Sequence, residues 1–152
     1  MSLSSGEWDL VLKAFGCVKA DAAGNGGEVL RRLFKAHPAT IQLFPKFRSL
    51  SEAEIQESAA VSNHGATVIN KLGDLLSRRG EYGAELKPMA QSHAHTHKIP
   101  LENFTLISEV IVQLMKEKVA GFGGDSEAAM RKALAALVTD LQGLYKELGF
   151  KG

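Results

Sequence analysis

Five histidines occur in this chain of 152 residues, and three of them fall within five positions: His93, His95 and His97, in the segment LKPMAQSHAHTHKIP. Imidazoles at that density suggest a metal centre, so the first question is which of them can face one point. On a helix, successive residues are turned by about 100°. His93 and His97 are four apart and share a side, while His95 points almost the opposite way, into water. Leu86, Met89, Ala90, His93 and His97 follow the helical three-and-four spacing, so the segment is not the extended chain that a three-histidine site would need. Ile99 precedes Pro100, which pushes it out of the helical region and ends the helix near His97. His93 then lies in an apolar stripe one turn from a helix end, and His97 at the edge of that stripe.

A histidine in an apolar stripe is usually a satisfied core residue. His64 changes that weighing, because it too lies in an apolar stripe, with Val61, Gly65, Val68 and Leu72. Two helices therefore each turn one imidazole inward. The corner LFPKFRSL adds Phe44 and Phe47, which are too apolar for a free loop. Zinc prefers a closed tetrahedron of nitrogen and sulfur or a nearby carboxylate, and neither stripe offers Cys, Asp or Glu beside its histidine. A flat apolar cofactor with one open axial position suits the pair better, and haem iron held by one proximal histidine is the obvious case.

The elements that must position these residues are helical nearly throughout. Ser4 and Glu7 form a capping-box pattern, with Leu3 and Trp8 spaced as a hydrophobic staple. Trp8, Val11, Leu12 and Phe15 mark the first helix, and Leu30, Leu33, Phe34 and His37 a second that Pro38 stops. Ser51 and Glu54 open one long helix running to about Leu76. A short helix covers roughly 84–97, with Pro88 tolerable only near its first turn. Phe104, Ile107, Ile111, Leu114 and Met115 define the next. Asp125 is a plausible N-cap for the last, marked by Met130, Leu134, Leu137, Leu141, Tyr145 and Leu148. No stretch has a period of two. The expectation is an all-α chain forming a single domain over 1–152.

The bulk properties narrow the function. Eighteen Lys and Arg against 17 Asp and Glu give a net charge of +1, which argues against a nucleic-acid partner. No apolar run approaches the length of a membrane span, and Glu7, Asp9 and Lys13 interrupt the start where a signal peptide would be apolar. The single Cys17 excludes an internal disulfide framework and fits a reducing compartment; it reads as a spectator thiol. His37 reads as a packing or surface hydrogen-bonding residue.

LKPMAQSHAHTHKIP, with HGATV twenty-nine positions before its first histidine, resembles the globin family. GEWDLVLKAFG, RLFKAHP, LFPKF and LYKELGF extend the likeness over essentially the whole chain, toward the single-chain oxygen-storing globins of vertebrates. The resemblance implies about eight helices around a pocket for haem b. It implies His93 as the proximal iron ligand, donating its other ring proton to a backbone carbonyl or to Ser92. It implies His64 as the distal histidine beside dioxygen. Phe44 would pack on the haem, with Val68 and Leu30 lining the ligand pocket. His97, Lys46 and Ser92 would lie near the propionates, and Ile99, Ile107 and Met89 would complete the wall. Tyr145 would tie the last helix to the carbonyl of Ile99. O2 is the implied ligand, with CO and NO as others, in a monomer of the cytoplasm, the sarcoplasm of muscle.

The chain departs from the family pattern modestly. Two connections, after Phe47 and near VAGFGG, are each about one residue short. Met89 replaces a common leucine. Phe104 stands where leucine is familiar and Leu137 where phenylalanine is, an apparent exchange of volume across one pocket. Gly26 and Gly65 present small faces that would let two helices cross closely. Three other readings stay open at this point: an enzyme using the same haem for nitrite reduction, nitric oxide dioxygenation or peroxide consumption; a subunit of a cooperative oligomer; and a haem-free helical interaction domain.

Overall fold

The computed structural model describes residues 3–96 and 99–149. Helical periodicity governs them: seven α-helices, one 3-10 segment and one π turn, with no strand among the described residues. The all-α expectation holds. Helix α1 (Ser5–Lys19) begins with the capping box, Glu7 N–H donating to Ser4 Oγ at 3.1 Å and Ser4 N–H to Glu7 Oε1 at 2.8 Å. The Ser4 amide is also the first cause holding the Glu7 carboxyl below its usual range, with Lys132 adding to it. Trp8, Val11, Phe15 and Val18 are its buried face. Helix α2 (Ala22–Ala36) is capped by Asp21 and stops at His37, just before Pro38 opens the 3-10 segment Pro38–Leu43.

Helix α3 (Glu52–Glu57) carries the second capping box, from Ser51 and Glu54. The single helix expected from Ser51 to about Leu76 is broken, however, and α4 spans Ala59–Ser77. Ser58 turns extended, with φ −74° and ψ 117°, and its hydroxyl accepts from Val61 N–H. Arg31 of α2 covers the break. Its guanidinium donates to the carbonyls of Ile55 and Ser58, each at 3.0 Å, and to Ser62 Oγ at 2.9 Å. Each of these carbonyls otherwise accepts only a long backbone bond, from Ser58 N–H and Ser62 N–H at 3.4 Å, so the single arginine strengthens the break from outside.

Helix α5 (Gly83–Gln91) corrects the span expected over 84–97. The α-helix ends at Gln91 and Ser92–Thr96 form a π turn. Pro88 also sits deeper than expected, inside the second turn, where its missing N–H leaves the Ala84 carbonyl without the usual i→i−4 donor. This weak segment is held from outside. Tyr82 Oη at its start donates to Asp140 Oδ2 at 2.5 Å, and beyond it Tyr145 Oη donates to the Ile99 carbonyl at 2.9 Å. Both anchors lie on or reach to α7 (Asp125–Glu147), which follows α6 (Glu102–Lys118). The cap of α7 is Gly124, at φ 48°, rather than Asp125, which becomes the first helical residue; a positive φ is a glycine conformation.

The α2–α4 crossing is close enough to bring backbone against backbone. A Cβ on Gly26 would come within 2.1 Å of the Gly65 carbonyl oxygen, and one on Gly65 within 2.1 Å of the Gly26 carbonyl carbon. Only a glycine pair allows this approach. A large buried cluster joins α1 to α4 through α7, and a smaller one gathers Leu30, Phe34, Phe47, Ile55 and Val61 under the corner after α2. No helix among the described residues is long and apolar enough to cross a membrane.

Candidate functional site

The α4 stripe, the α5–π segment, α6, α7 and the corner after α2 border a cavity of about 900 Å³. Its size is at the upper end for a small-molecule or cofactor site. His93 lies on the π turn and His64 on α4, and both line it. The two imidazoles singled out by their stripes thus reach one space.

His93 is oriented by its own backbone. Its Nδ1 lies 2.8 Å from the Met89 carbonyl oxygen. A carbonyl only accepts, so Nδ1 carries a proton; in the neutral ring Nε2 is then the basic nitrogen, the form in which imidazole ligates a metal. Of the two acceptors the resemblance left open, a carbonyl or Ser92, the structure has the carbonyl. Ser92 is half-buried on the π turn and not on the cavity wall.

His64 is oriented by aromatics. Its ring meets Phe44 at 5.4 Å between centroids and 88°, and Phe47 at 5.8 Å and 80°. Phe44 and Phe47 are themselves stacked at 6.0 Å, with Phe34 edge-on to Phe44 at 5.2 Å. The near-perpendicular pairs match the quadrupole preference of such rings and restrict how His64 can turn. The corner expected to be packed is therefore packed, and it faces the second imidazole.

The wall is largely apolar. Val68 from α4, Met89 from α5, Phe104 and Ile107 from α6 and Leu137 from α7 line it, as do Phe44 and Ile99. Phe104 and Leu137 thus border the same space, as a volume exchange requires. Polar groups interrupt the wall at Lys46, Lys71, Asn70 and Asn103. Leu30 is not brought to the wall. It is fully buried in the smaller cluster with Phe34, Phe47, Ile55 and Val61. His97 lies outside the described residues, and so does the side chain of His95. His37 is exposed at the end of α2, its carbonyl accepting from Thr40 Oγ1 at 2.7 Å. Cys17 is exposed.

Sequence reading missed Leu33, Thr67, Asn103 and Ile111 on the wall. Leu33 and Ile111 were visible as apolar helix positions, but a stripe does not say whether it meets a neighbour or a void. Thr67 and Asn103 gave no signal, since isolated polar residues are common on any helix.

The donor set fits a haem. There is one imidazole whose Nδ1 proton is committed to a backbone carbonyl, a second imidazole on another helix, largely apolar walls, and Lys46 and Lys71 among the lining residues. The comparisons agree. A family model described as Globin matches residues 27–141. The myoglobin of Danio rerio is 52% identical over 144 residues, covering 95% of this chain and 97% of that protein. The myoglobin of Sarda chiliensis is 53% identical over 146 residues, covering 96% and 99%. With the fold, the paired imidazoles and these likenesses in agreement, the chain belongs to the globin family.

Proposed function

We propose that this globin holds haem b in the cavity, with His93 as the iron ligand and His64 beside the site for the bound gas. Its function is to store O2 and assist its diffusion, as a monomeric, single-domain carrier in the cytoplasm of muscle cells. The observation that carries the reading is the His93–Met89 bond at the edge of an apolar cavity. A haem iron held there by one protein ligand would supply reversible dioxygen binding. The chain supplies everything else. Met89 O holds the proton on Nδ1, which fixes the tautomer and raises the basicity of Nε2. Val68, Ile107 and Leu137 keep water from the site. His64 offers an N–H to a ligand that draws electron density, which favours O2 over CO; NO would enter the same space. Lys46 is a cation suited to a propionate, a role the family pattern also gives to Ser92 and His97.

A carrier is favoured over a peroxidase by the surroundings of His64. Phe44, Phe47 and Val68 stand there, and no arginine lines the cavity among the described residues to help pull an O–O bond apart. The test is a pair of variants read by visible spectroscopy. His93→Gly loses the iron–imidazole bond and regains it when free imidazole fills the vacated space, while His95→Gly keeps the parent spectrum. Loss of the bond in the His95 variant instead would assign the ligand to the wrong histidine.

A further inference from the structure

We infer that Phe104 is a positioning residue for His93, setting the plane of its imidazole by packing a flat ring against it; this rests on His93 being the iron ligand. The hydrogen bond from Nδ1 to Met89 O fixes the direction of one ring atom. It restrains rotation about the Cβ–Cγ bond only within the wide angular tolerance of a hydrogen bond, and that sp³–sp² torsion is soft with broad minima, so packing has to settle the ring plane. The backbone gives less help here than in an α-helix, because His93 sits in the π turn. Phe104 supplies the second constraint. Its ring lies 5.6 Å from the His93 ring, tilted by 50°.

Phe104 is in turn held by a circuit that closes on His93. The Tyr145 ring meets Phe104 at 6.3 Å and 78°. Tyr145 Oη donates to the Ile99 carbonyl at 2.9 Å, and Ile99 N–H donates to the His93 carbonyl at 2.8 Å. Helix α7 thereby grips both the backbone of His93, through Ile99, and its ring, through Phe104. A leucine at 104 would fill space without a rigid flat ring to limit how the imidazole turns. This gives the exchange of Phe104 and Leu137 a consequence beyond volume: the aromatic ring has moved to the position where it touches the imidazole.

The iron–histidine stretching band in the resonance Raman spectrum of the ferrous, ligand-free holoprotein reads the orientation directly. Phe104→Leu should shift and broaden that band. The double variant Phe104→Leu/Leu137→Phe restores the pocket volume but not the ring against His93, so its band should stay shifted. A band unchanged in Phe104→Leu, or restored in the double variant, would overturn the inference and leave His93 as ligand intact. Absence of the band in the parent would instead overturn the ligand assignment, and this inference with it. Should Phe104→Leu fail to retain haem, Phe104→Met keeps a long apolar side chain without a ring and must show the same shift.

Discussion

Replacing Gly65 by alanine sets two opposing effects against each other at one atom. In the middle of a helix, alanine is favoured over glycine by roughly 0.5–1 kcal/mol, through backbone entropy alone. Against that, the new methyl would stand 2.1 Å from the Gly26 carbonyl carbon and 2.4 Å from its oxygen, where ordinary contact begins near 3.4 Å. The obstructing atoms are backbone on both sides, so no side chain can turn away. Helices α2 and α4 must separate by more than an ångström along their closest contact. Overpacking of ordinary side chains costs about 1–3 kcal/mol, and a backbone-on-backbone clash belongs at or above the top of that range. The clash wins, with a net loss of about 2 kcal/mol or more once the helix gain is subtracted. For a chain of this size that is roughly 4–8 °C in Tm. Gly143 is the control. It lies inside α7 with nothing within 4 Å of a Cβ, so Gly143→Ala should gain up to about 1 kcal/mol. Thermal melts of both variants with haem bound settle the matter. Because His64 is the neighbour of Gly65, the Gly65 variant should also change its O2 affinity. A Gly65→Ala protein as stable as Gly143→Ala would refute the close crossing.

Other outcomes follow from the same site. Leu137→Phe should overpack the cavity by roughly 1–3 kcal/mol, and adding Phe104→Leu should recover most of it, whereas simple additivity in denaturant melts would mean the two do not share a pocket. His64→Leu should weaken O2 binding but not CO binding. A hydrogen bond to a charged group contributes about 1.5–3 kcal/mol, so the ratio of affinities should change by roughly ten- to over a hundredfold; an unchanged ratio would reduce His64 to packing. Burial pushes the Tyr145 hydroxyl from 10.0 up to about 12, and burial with Asp140 beside it pushes Tyr82 higher still. The folded chain therefore holds phenolic protons that the unfolded chain loses near 10, so stability is full below pH 10 and falls as pH rises through 12. Neither tyrosine should ionise near pH 10 in an ultraviolet titration of the folded protein. Tyr145→Phe should abolish its share of the alkaline destabilisation, about 3 kcal/mol at most from two pKa units.

Much of the fold was legible because helix faces repeat every three to four residues and capping boxes are local. Ser4–Glu7 and Ser51–Glu54 both formed as written. The break at Ser58 was not legible, because Ile55 and Val61 keep an apolar pattern across it and the residue that stabilises it, Arg31, comes from another helix. The π turn at Ser92–Thr96 was hidden for a related reason: a change in backbone pitch leaves composition untouched. Within the site, His64, His93 and Phe44 could be found from residue type and stripe. The acceptor for His93 could be narrowed but not chosen, since a backbone carbonyl has no sequence signature. Leu30 shows the remaining gap. Its burial was evident, but whether it faced the cavity or the cluster around Phe47 depended on how α2 rolls against α4, which the glycine crossing fixes.

The oxygen equilibrium curve of the purified, reduced protein tests the central claim most directly. Visible spectra recorded while O2 is raised and then removed should interconvert two haem species reversibly, through shared isosbestic points, with a Hill coefficient of one and no dependence on protein concentration. A protein that carries no haem, that O2 only oxidises without return, or that binds O2 with a Hill coefficient well above one would contradict the account.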